Sequence, residues 1–373
     1  MAASKHENHS HWGSLGMNLW NDHPEILSPV GRSFANIMEE GARRQELPGY
    51  EPVYRDFVDY IMRCTHRIWE EKNVGLCRTH YSEDCVMHTL AGPAVGAEVV
   101  VQNTIGALAM SSDRQVFGED VIWSDEGDGK LYSSHRIVSR STHLGNDMML
   151  GHATRREAGV MTIADCLCRS NRIIEEWLVR DNLRAVMQVG RDPWEVARAQ
   201  AAADCTGDQA RHAWRAEKIA DVKGGVDCGI PEHHPAMLPA AMLRSALRDD
   251  LYGEAAGALS PAVELRWPGN RHGYGRGFWI GCLTQMRGAL HAPAFSIEHV
   301  AARPLPQDDI AVAIRWSLTG VHAGSGVWGT ASGRELLIMG ISHYRLRAGS
   351  IVEDATVFDE LAVLRQILGG LGA

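Results

Sequence analysis

The sequence contains one pattern twice, and this repeat constrains the fold more than any other feature. The stretch RIIEEWLVRDNLRAVMQVG, which begins at Arg172, returns as SIVEDATVFDELAVLRQILG, which begins at Ser350. In both copies an extended apolar and acidic run ends at an aspartate, Asp181 or Asp359, and an amphipathic helical pattern follows. A duplicated module keeps one spacing at every landmark, whereas a chance similarity does not.

The spacing between equivalent landmarks is 178 or 179 residues along most of the chain. The matched pairs are His88 and Trp267, Gly96 and Gly275, Glu119 and Glu298, His143 and His322, Asp165 and His343, and Asp181 and Asp359. A single one-residue deletion between His322 and His343 accounts for the change from 179 to 178. The sequence therefore predicts two copies of one module.

Each copy has helices first and extended segments afterwards. The stretch YRDFVDYIMRCTHRIWEEKN has apolar residues at helical spacing, and a short strand, a second helix and three extended runs follow. The last run contains a turn at Ser170 and Asn171, which divides it into a hairpin. This order predicts an α+β fold with an antiparallel meander, not a doubly wound parallel sheet.

The 373 residues divide into four predicted segments. They are an N-terminal arm (1–50), the first module (51–190), a helical linker rich in alanine and charge (191–235), and the second module (236–373).

Charge and hydropathy limit the possible partners. Lysine and arginine total 37 against 46 for aspartate and glutamate, and the net charge of −9 argues against nucleic acid or an acidic membrane surface. No run of about 18 apolar residues occurs, and the N-terminal stretch MAASKHENHSHWGS lacks the apolar core of a secretory signal. We therefore expect a cytoplasmic protein. The eight scattered cysteines fit neither a disulfide framework nor a zinc site, and we expect reduced thiols.

The order of elements and three local motifs resemble the SnoaL-like polyketide cyclase, or "ester cyclase", family. The motifs are GVHAGSGVWG at one strand end, ISHYRLRAG at the next, and the final SIVEDATVFDELAVLRQILG. The family belongs to a superfamily that includes ketosteroid isomerase and scytalone dehydratase. The resemblance implies two tandem cone-shaped, cystatin-like modules, each a curved antiparallel sheet wrapped on helices around a conical pocket. It also implies acid or base catalysis by a carboxylate, without a metal or an organic cofactor.

Period-2 alternation on the last strand of each module suggests which carboxylates face that pocket. One face carries Ile173, Glu175, Trp177, Val179 and Asp181 in the first copy, and Ile351, Glu353, Ala355, Val357 and Asp359 in the second. We expect this face to be the concave one, because a carboxylate that is desolvated there has a raised pKa and can exchange protons near neutral pH. By the resemblance, Asp181 and Asp359 match the catalytic aspartate of the family.

The candidate catalytic residues are Asp359, His322 and His343 in the second module, and Asp181, His143 and Asp165 in the first. We favour the second module, where three neighbouring strands are expected to bring the first set together. Simpler interpretations remain open: the aspartates can be helix N-caps, and the strand-end histidines can stabilise turns. Because His343 replaces Asp165, the two pockets cannot share one chemistry, and one of them can be inactive.

The candidate substrate-binding residues are His88, Trp177, Trp267, His272 and Tyr274. No dinucleotide fingerprint, phosphate loop or spaced set of metal ligands occurs, so we expect no cofactor and no metal. The expected partner is a small-molecule substrate, with the two modules paired inside the chain and a homodimer left open. The function is either cofactor-independent acid-base chemistry of the cyclase, isomerase, dehydratase or hydrolase type, or ligand binding or assembly without catalysis.

Overall fold

The computed structural model describes residues 41–146, 150–204, 208–324 and 326–371. Most of the predicted N-terminal arm, including its histidine-rich tract, lies outside these residues, as does Cys205. The α-helices are α1 Phe57–Trp69, α2 Cys77–His80, α3 Ala97–Met110, α4 Asn182–Gln188, α5 Pro193–Ala203, α6 Gln209–Lys223, α7 Met237–Leu247, α8 Tyr252–Ala255, α9 Arg276–Arg287 and α10 Glu360–Ile367. The strands are β1 Tyr81–Thr89, β2 Gly92–Val95, β3 Gln115–Gly127, β4 Lys130–Thr142, β5 Glu157–Arg169, β6 Arg172–Arg180, β7 Leu259–Trp267, β8 Arg271–Tyr274, β9 Leu290–Pro304, β10 Ile310–His322, β11 Glu335–Arg347 and β12 Ser350–Phe358.

The strands form two six-stranded sheets with the same order. The first is β2-β1-β6-β5-β4-β3 and the second is β8-β7-β12-β11-β10-β9. All neighbours are antiparallel except the pairs β1 with β6 and β7 with β12, which are parallel. The predicted α+β class with two tandem modules is confirmed, with one parallel strand pair in each sheet.

The predicted hairpin turns lie where the sequence placed them. Ser170 and Asn171 both have positive φ, as do Ala348 and Gly349 in the second copy. Two consecutive residues with positive φ are typical of the tight turns whose twist matches that of antiparallel strands. Each turn therefore fixes the register of the last two strands of its module.

The spacing of the repeat changes at two loops. Register aligns β1 with β7 at 178 residues, because His88 lies opposite Trp177 and Arg266 lies opposite Ala355. His88 is thus equivalent to Arg266, and its predicted match with Trp267 is wrong by one residue. The β7–β8 hairpin has one residue more in its turn than the β1–β2 hairpin, which raises the spacing to 179.

The return to 178 occurs in the loop after β4 or β10. His143 accepts a hydrogen bond from the backbone of Thr154, eleven residues later, and His322 accepts the same bond from Ser332, ten residues later. The predicted one-residue deletion lies between these partners.

Side chains of the two sheets meet on the faces opposite their helices. Arg315 on β10 contacts Asp165 on β5, and His343 on β11 contacts Ser134 on β4 at 2.8 Å. Helix α6 contacts β2 of the first sheet and β9, β10 and β11 of the second. Each sheet therefore has one face toward its own helices and one face toward the other module.

Candidate functional site

A cavity of about 520 Å³ lies between the first sheet and its helices. Its wall includes Glu176, Leu178 and Arg180 from β6 and His135 and Ile137 from β4. These are alternate residues of each strand, as expected for one face of a sheet. The cavity is therefore bounded by the concave face of the first module.

This arrangement corrects the predicted orientation of the last strand. The alternation was right, but the face carrying Glu175, Trp177 and Val179 is turned away from the cavity. Val179 packs with side chains of the second module, and Glu175 contacts His88 at 2.8 Å. The face was misassigned because both faces of the strand are largely covered, so its apolar content does not distinguish them.

Glu176 is the buried carboxyl group of the cavity. It is 6% exposed, and desolvation raises the pKa of Glu176 to about 7, against an opposing effect of Arg180 and a hydrogen bond from Tyr81. A carboxyl group with this pKa is present in both protonation states near neutral pH. It can therefore accept and return a proton at the cavity wall.

The cavity is long. Cys166 lies opposite Glu176, and Ala158, eight residues earlier on the same strand, lines the opposite end. At the usual rise of an extended strand, about 27 Å of β5 separates the two positions. The shape suits an extended or multi-ring molecule better than a compact one.

His143 lines the far end of the cavity and is 2% exposed. Its Nδ1 accepts a hydrogen bond from the Thr154 backbone at 3.3 Å, and its buried Nε2 has no partner among the described residues. An accepting Nδ1 places the proton of the neutral ring on Nε2. His143 thus combines the turn-stabilising role with a donor that is available to a ligand.

The equivalent region of the second module is filled by aromatic side chains. Trp316 stands where the first module has Ile137, and its indole lies directly over Gly340, which stands where the first module has Thr162. Tyr344 replaces Cys166, and Phe358 replaces Arg180; each of these two aromatic residues is 2% exposed.

Asp354 is the equivalent of Glu176 and is fully enclosed. It accepts hydrogen bonds from the indole of Trp279 at 3.0 Å and from the hydroxyl of Thr356 at 2.6 Å. Burial raises the pKa of Asp354 to about 6. The two modules thus retain an acid at one position, but only the first retains space beside it.

Asp181 and Asp359 both serve as helix N-caps. Asp181 accepts from the backbone of Arg184 at 3.1 Å and also from the backbone of Gly269 at 2.9 Å. Asp359 accepts from the backbone of Ala362 at 3.1 Å. Neither lines the cavity, although Asp359 borders a second space that is described below.

The histidines of the second module do not converge with Asp359. His343 lies directly opposite Ala313 on β10, and His322 is nine residues further along that strand. An odd separation places the two on opposite faces, so the expected triad of His322, His343 and Asp359 is wrong. The imidazole of His343 instead contacts Ser134 of the first module.

Asp165 lies at the contact between the sheets, not in the cavity. It is fully buried, accepts a hydrogen bond from the hydroxyl of Tyr132 and pairs with Arg315 at 3.2 Å. Desolvation raises the pKa of Asp165, and the charge of Arg315 opposes this rise.

The predicted substrate-binding residues lie apart from the cavity. His88 stacks on Trp177 on the face turned toward the other module, and Trp267 is part of the second core. His272 and Tyr274 lie on the exposed short strand β8, where His272 contacts Glu264. None of the five lines the 520 Å³ cavity.

A side cavity of about 530 Å³ adjoins the first one. It is bordered by Asp359, by Leu90 in the β1–β2 turn and by Arg365 on α10. Arg180 lines both cavities, so its side chain lies where they meet.

The sequence interpretation missed Glu176, Tyr81 and Arg180. One signal was available: each copy has two adjacent acids on its last strand, and the second of them, Glu176 or Asp354, recurs at the same spacing as the first. Choosing between them required knowledge of which face is concave.

Two further searches concern the described residues alone. Among them, no group of three or more histidine, cysteine, aspartate or glutamate side chains is arranged to hold a metal ion. No helix in the described ranges is both long and apolar enough to cross a membrane. The seven cysteines within these ranges are free thiols, and all but Cys228 are buried.

The two sheets, their helices and the enclosed acid position define a tandem α+β protein of the cone-shaped class. Residues 254–367 match the model of the SnoaL-like polyketide cyclase family, so the second module is a SnoaL-like module. The first module repeats its strand order, and the chain is a tandem pair of such modules.

Several solved structures are similar to single modules of this chain. IdmH, a putative polyketide cyclase from Streptomyces antibioticus, is 22% identical over 35% of this chain and 96% of its own, with a TM-score of 0.30. A putative SnoaL-like polyketide cyclase from Jannaschia sp. CCS1 is 18% identical over 38% and 98%, with a TM-score of 0.29. TsrD from Streptomyces laurentii is 15% identical over 37% and 98%, with a TM-score of 0.31. No curated protein matches the sequence.

Proposed function

We propose that the first module is a small-molecule enzyme that transfers a proton next to a carbonyl group, as in an isomerisation or an aldol-type ring closure. The observation that carries the proposal is Glu176, a buried carboxyl group that lines a 520 Å³ cavity and has a pKa of about 7. A base with this pKa is well matched to proton abstraction at neutral pH.

The other residues of the cavity support this assignment. The carboxylate of Glu176 removes a proton from the carbon beside the carbonyl, and an enolate forms. In an isomerisation the same proton returns to a different carbon; in a ring closure the enolate carbon attacks a second carbonyl, and the resulting alkoxide takes the proton. Tyr81, whose pKa is raised well above its usual value by burial, stays protonated and holds Glu176 in place by a hydrogen bond.

The second module favours a different role for that half of the chain. Its equivalent acid is enclosed by Trp279 and Thr356, and aromatic rings occupy the space beside it. We assign it to assembly and support, which is the non-catalytic alternative raised by the sequence.

The proposal is tested by exchange of carbon-bound hydrogen for deuterium, which requires no knowledge of the natural substrate. The protein is incubated in D₂O with 1-tetralone or anthrone, and label beside the carbonyl is followed by NMR. We expect catalysed exchange by the natural protein and a decrease of about 100-fold or more for Glu176→Gln, because general-base catalysis typically contributes this much.

The matched control is Glu175→Gln, which makes the same change one residue away on the opposite face of β6. It should retain exchange. Absence of catalysed exchange by the natural protein, or equal loss in the two variants, would contradict the assignment of Glu176 as the base.

A further inference from the structure

Two arginine side chains of the first-module cavity have no carboxylate partner. Arg180 on β6 and Arg114, just before β3, both line the cavity, and neither forms a salt bridge or side-chain hydrogen bond to another described residue. The Nε atom of Arg114 is buried without a partner, and the guanidinium lies 5.4 Å from the ring centre of Trp69.

The two guanidinium groups lie close enough to repel each other. Desolvation lowers the pKa of Arg114 to about 10, and the charge of Arg180 lowers it further. Two unpaired cations at the wall of a largely apolar cavity are unfavourable without an anion, because buried charges are normally paired.

The side cavity shows the contrast. Its other two arginines, Arg211 and Arg365, are both paired with Asp204. Asp359 acts on Arg180 electrostatically, but its carboxyl group bonds the backbone of Ala362 and the amide of Asn182. The described carboxylates near Arg180 therefore have other hydrogen-bond partners.

We propose that Arg114 and Arg180 bind a carboxylate of the substrate, so that the molecule processed in this cavity is an organic acid. This inference rests on the proposed function of the same cavity. Guanidinium groups bind carboxylates with charge-assisted, often bidentate, hydrogen bonds.

The position of Arg180 also orients the substrate. Arg180 and Glu176 lie four residues apart on the same face of β6, about 13 Å along an extended strand. With its carboxylate between the arginines, an elongated acid extends along the cavity toward Glu176 and presents its reactive carbon there.

The test compares two probes that differ only in charge, anthraquinone-2-carboxylic acid and anthraquinone-2-carboxamide. Binding is measured by isothermal titration at low and moderate salt. We expect the natural protein to bind the acid at least about 10-fold more tightly than the amide, as one or two charge-assisted hydrogen bonds provide. Arg114→Gln and Arg180→Gln should each remove most of this preference and leave amide binding nearly unchanged.

Two further variants sharpen the comparison. Arg169→Gln removes an equal charge from the exposed end of β5 and should retain the preference for the acid. Asp359→Asn removes a negative charge near Arg180 while keeping an N-cap, and should strengthen acid binding.

Equal binding of acid and amide by the natural protein, including no binding of either, would overturn the inference. So would equal loss in Arg169→Gln and Arg180→Gln, because the effect would then be general electrostatics. Binding does not require turnover, so these outcomes are separate from the exchange test of Glu176.

Discussion

Glu176 and Asp354 occupy equivalent positions on β6 and β12, yet their surroundings give them different chemistry. Asp354 has donors on several sides, whereas Glu176 has a hydrogen bond from Tyr81 and an open cavity. The cost of holding a carboxylate in a partly apolar cavity is a property of the folded state, and it should be visible in the dependence of stability on pH.

The first prediction concerns this dependence. The pKa of Glu176 is about 7 in the folded protein and about 4.3 in an unfolded chain, so the folded state binds the proton more tightly. Stability from this group is fully present below pH 4 and is lost as pH rises from about 4 to 7, by on the order of 3 kcal/mol. Glu176→Gln, which resembles the protonated form, should therefore have a higher unfolding midpoint than the natural protein at pH 8 and a similar one at pH 4.

Thermal unfolding from pH 4 to pH 8 provides the measurement, with Glu175→Gln as the control. A constant difference between the Glu176→Gln and natural curves would show that Glu176 does not titrate as described.

At the scale of elements, one pair of facing residues distinguishes the open cone from the filled one. On β4 and β5 the pair is Ile137 and Thr162, and on β10 and β11 it is Trp316 and Gly340. A side chain at position 340 would overlap the indole, since a Cβ atom there would lie 2.2 Å from Trp316. The glycine and the tryptophan therefore form one packing unit.

The second prediction transfers this unit to the first module. The double substitution Ile137→Trp with Thr162→Gly should fill the cavity and reduce deuterium exchange to background, while the protein remains folded. Ile137→Trp alone should be destabilised by about 1–3 kcal/mol, because the indole then overlaps Thr162. Thr162→Gly alone should retain exchange.

Exchange and thermal unfolding are measured on all three variants. Full activity in the double variant would show that the cavity beside Ile137 is not where the substrate binds.

Much of this scale could be predicted from the sequence. The repeat, the strand order and the turns at Ser170 and Asn171 depend on local patterns and on spacing, which the sequence contains. The choice of concave face could not be predicted, because a strand such as β6 is covered on both sides and period-2 alternation does not say which side has the cavity. The filling of the second cone was equally hidden, since it depends on Trp316 meeting a glycine on another strand.

At the scale of the whole molecule, Arg315 connects the modules. It lies in the contact between the sheets, paired with Asp165 and Glu298 at 3.2 Å each, and its guanidinium stands 3.7 Å from the ring centre of Trp177. Asp165 and Trp177 belong to the first module, and Arg315 and Glu298 to the second.

The third prediction is that Arg315→Ala lowers the free energy of unfolding by about 3–5 kcal/mol, because it leaves Asp165 buried without its cation. Asp165→Ala in the same background should recover part of this loss. A double-mutant cycle by denaturant unfolding measures the coupling. Strictly additive effects would show that the two side chains do not stabilise one another.

The helices α5 and α6 make the two modules one polypeptide, and this has an evolutionary consequence. In a dimer of identical subunits, every substitution occurs in both partners, so a change that closes one pocket closes the other. After a duplication joined in tandem, each copy accumulates changes independently. Trp316 and Gly340 in one half and Ile137 and Thr162 in the other are a pair of solutions that a symmetric dimer cannot hold at the same time.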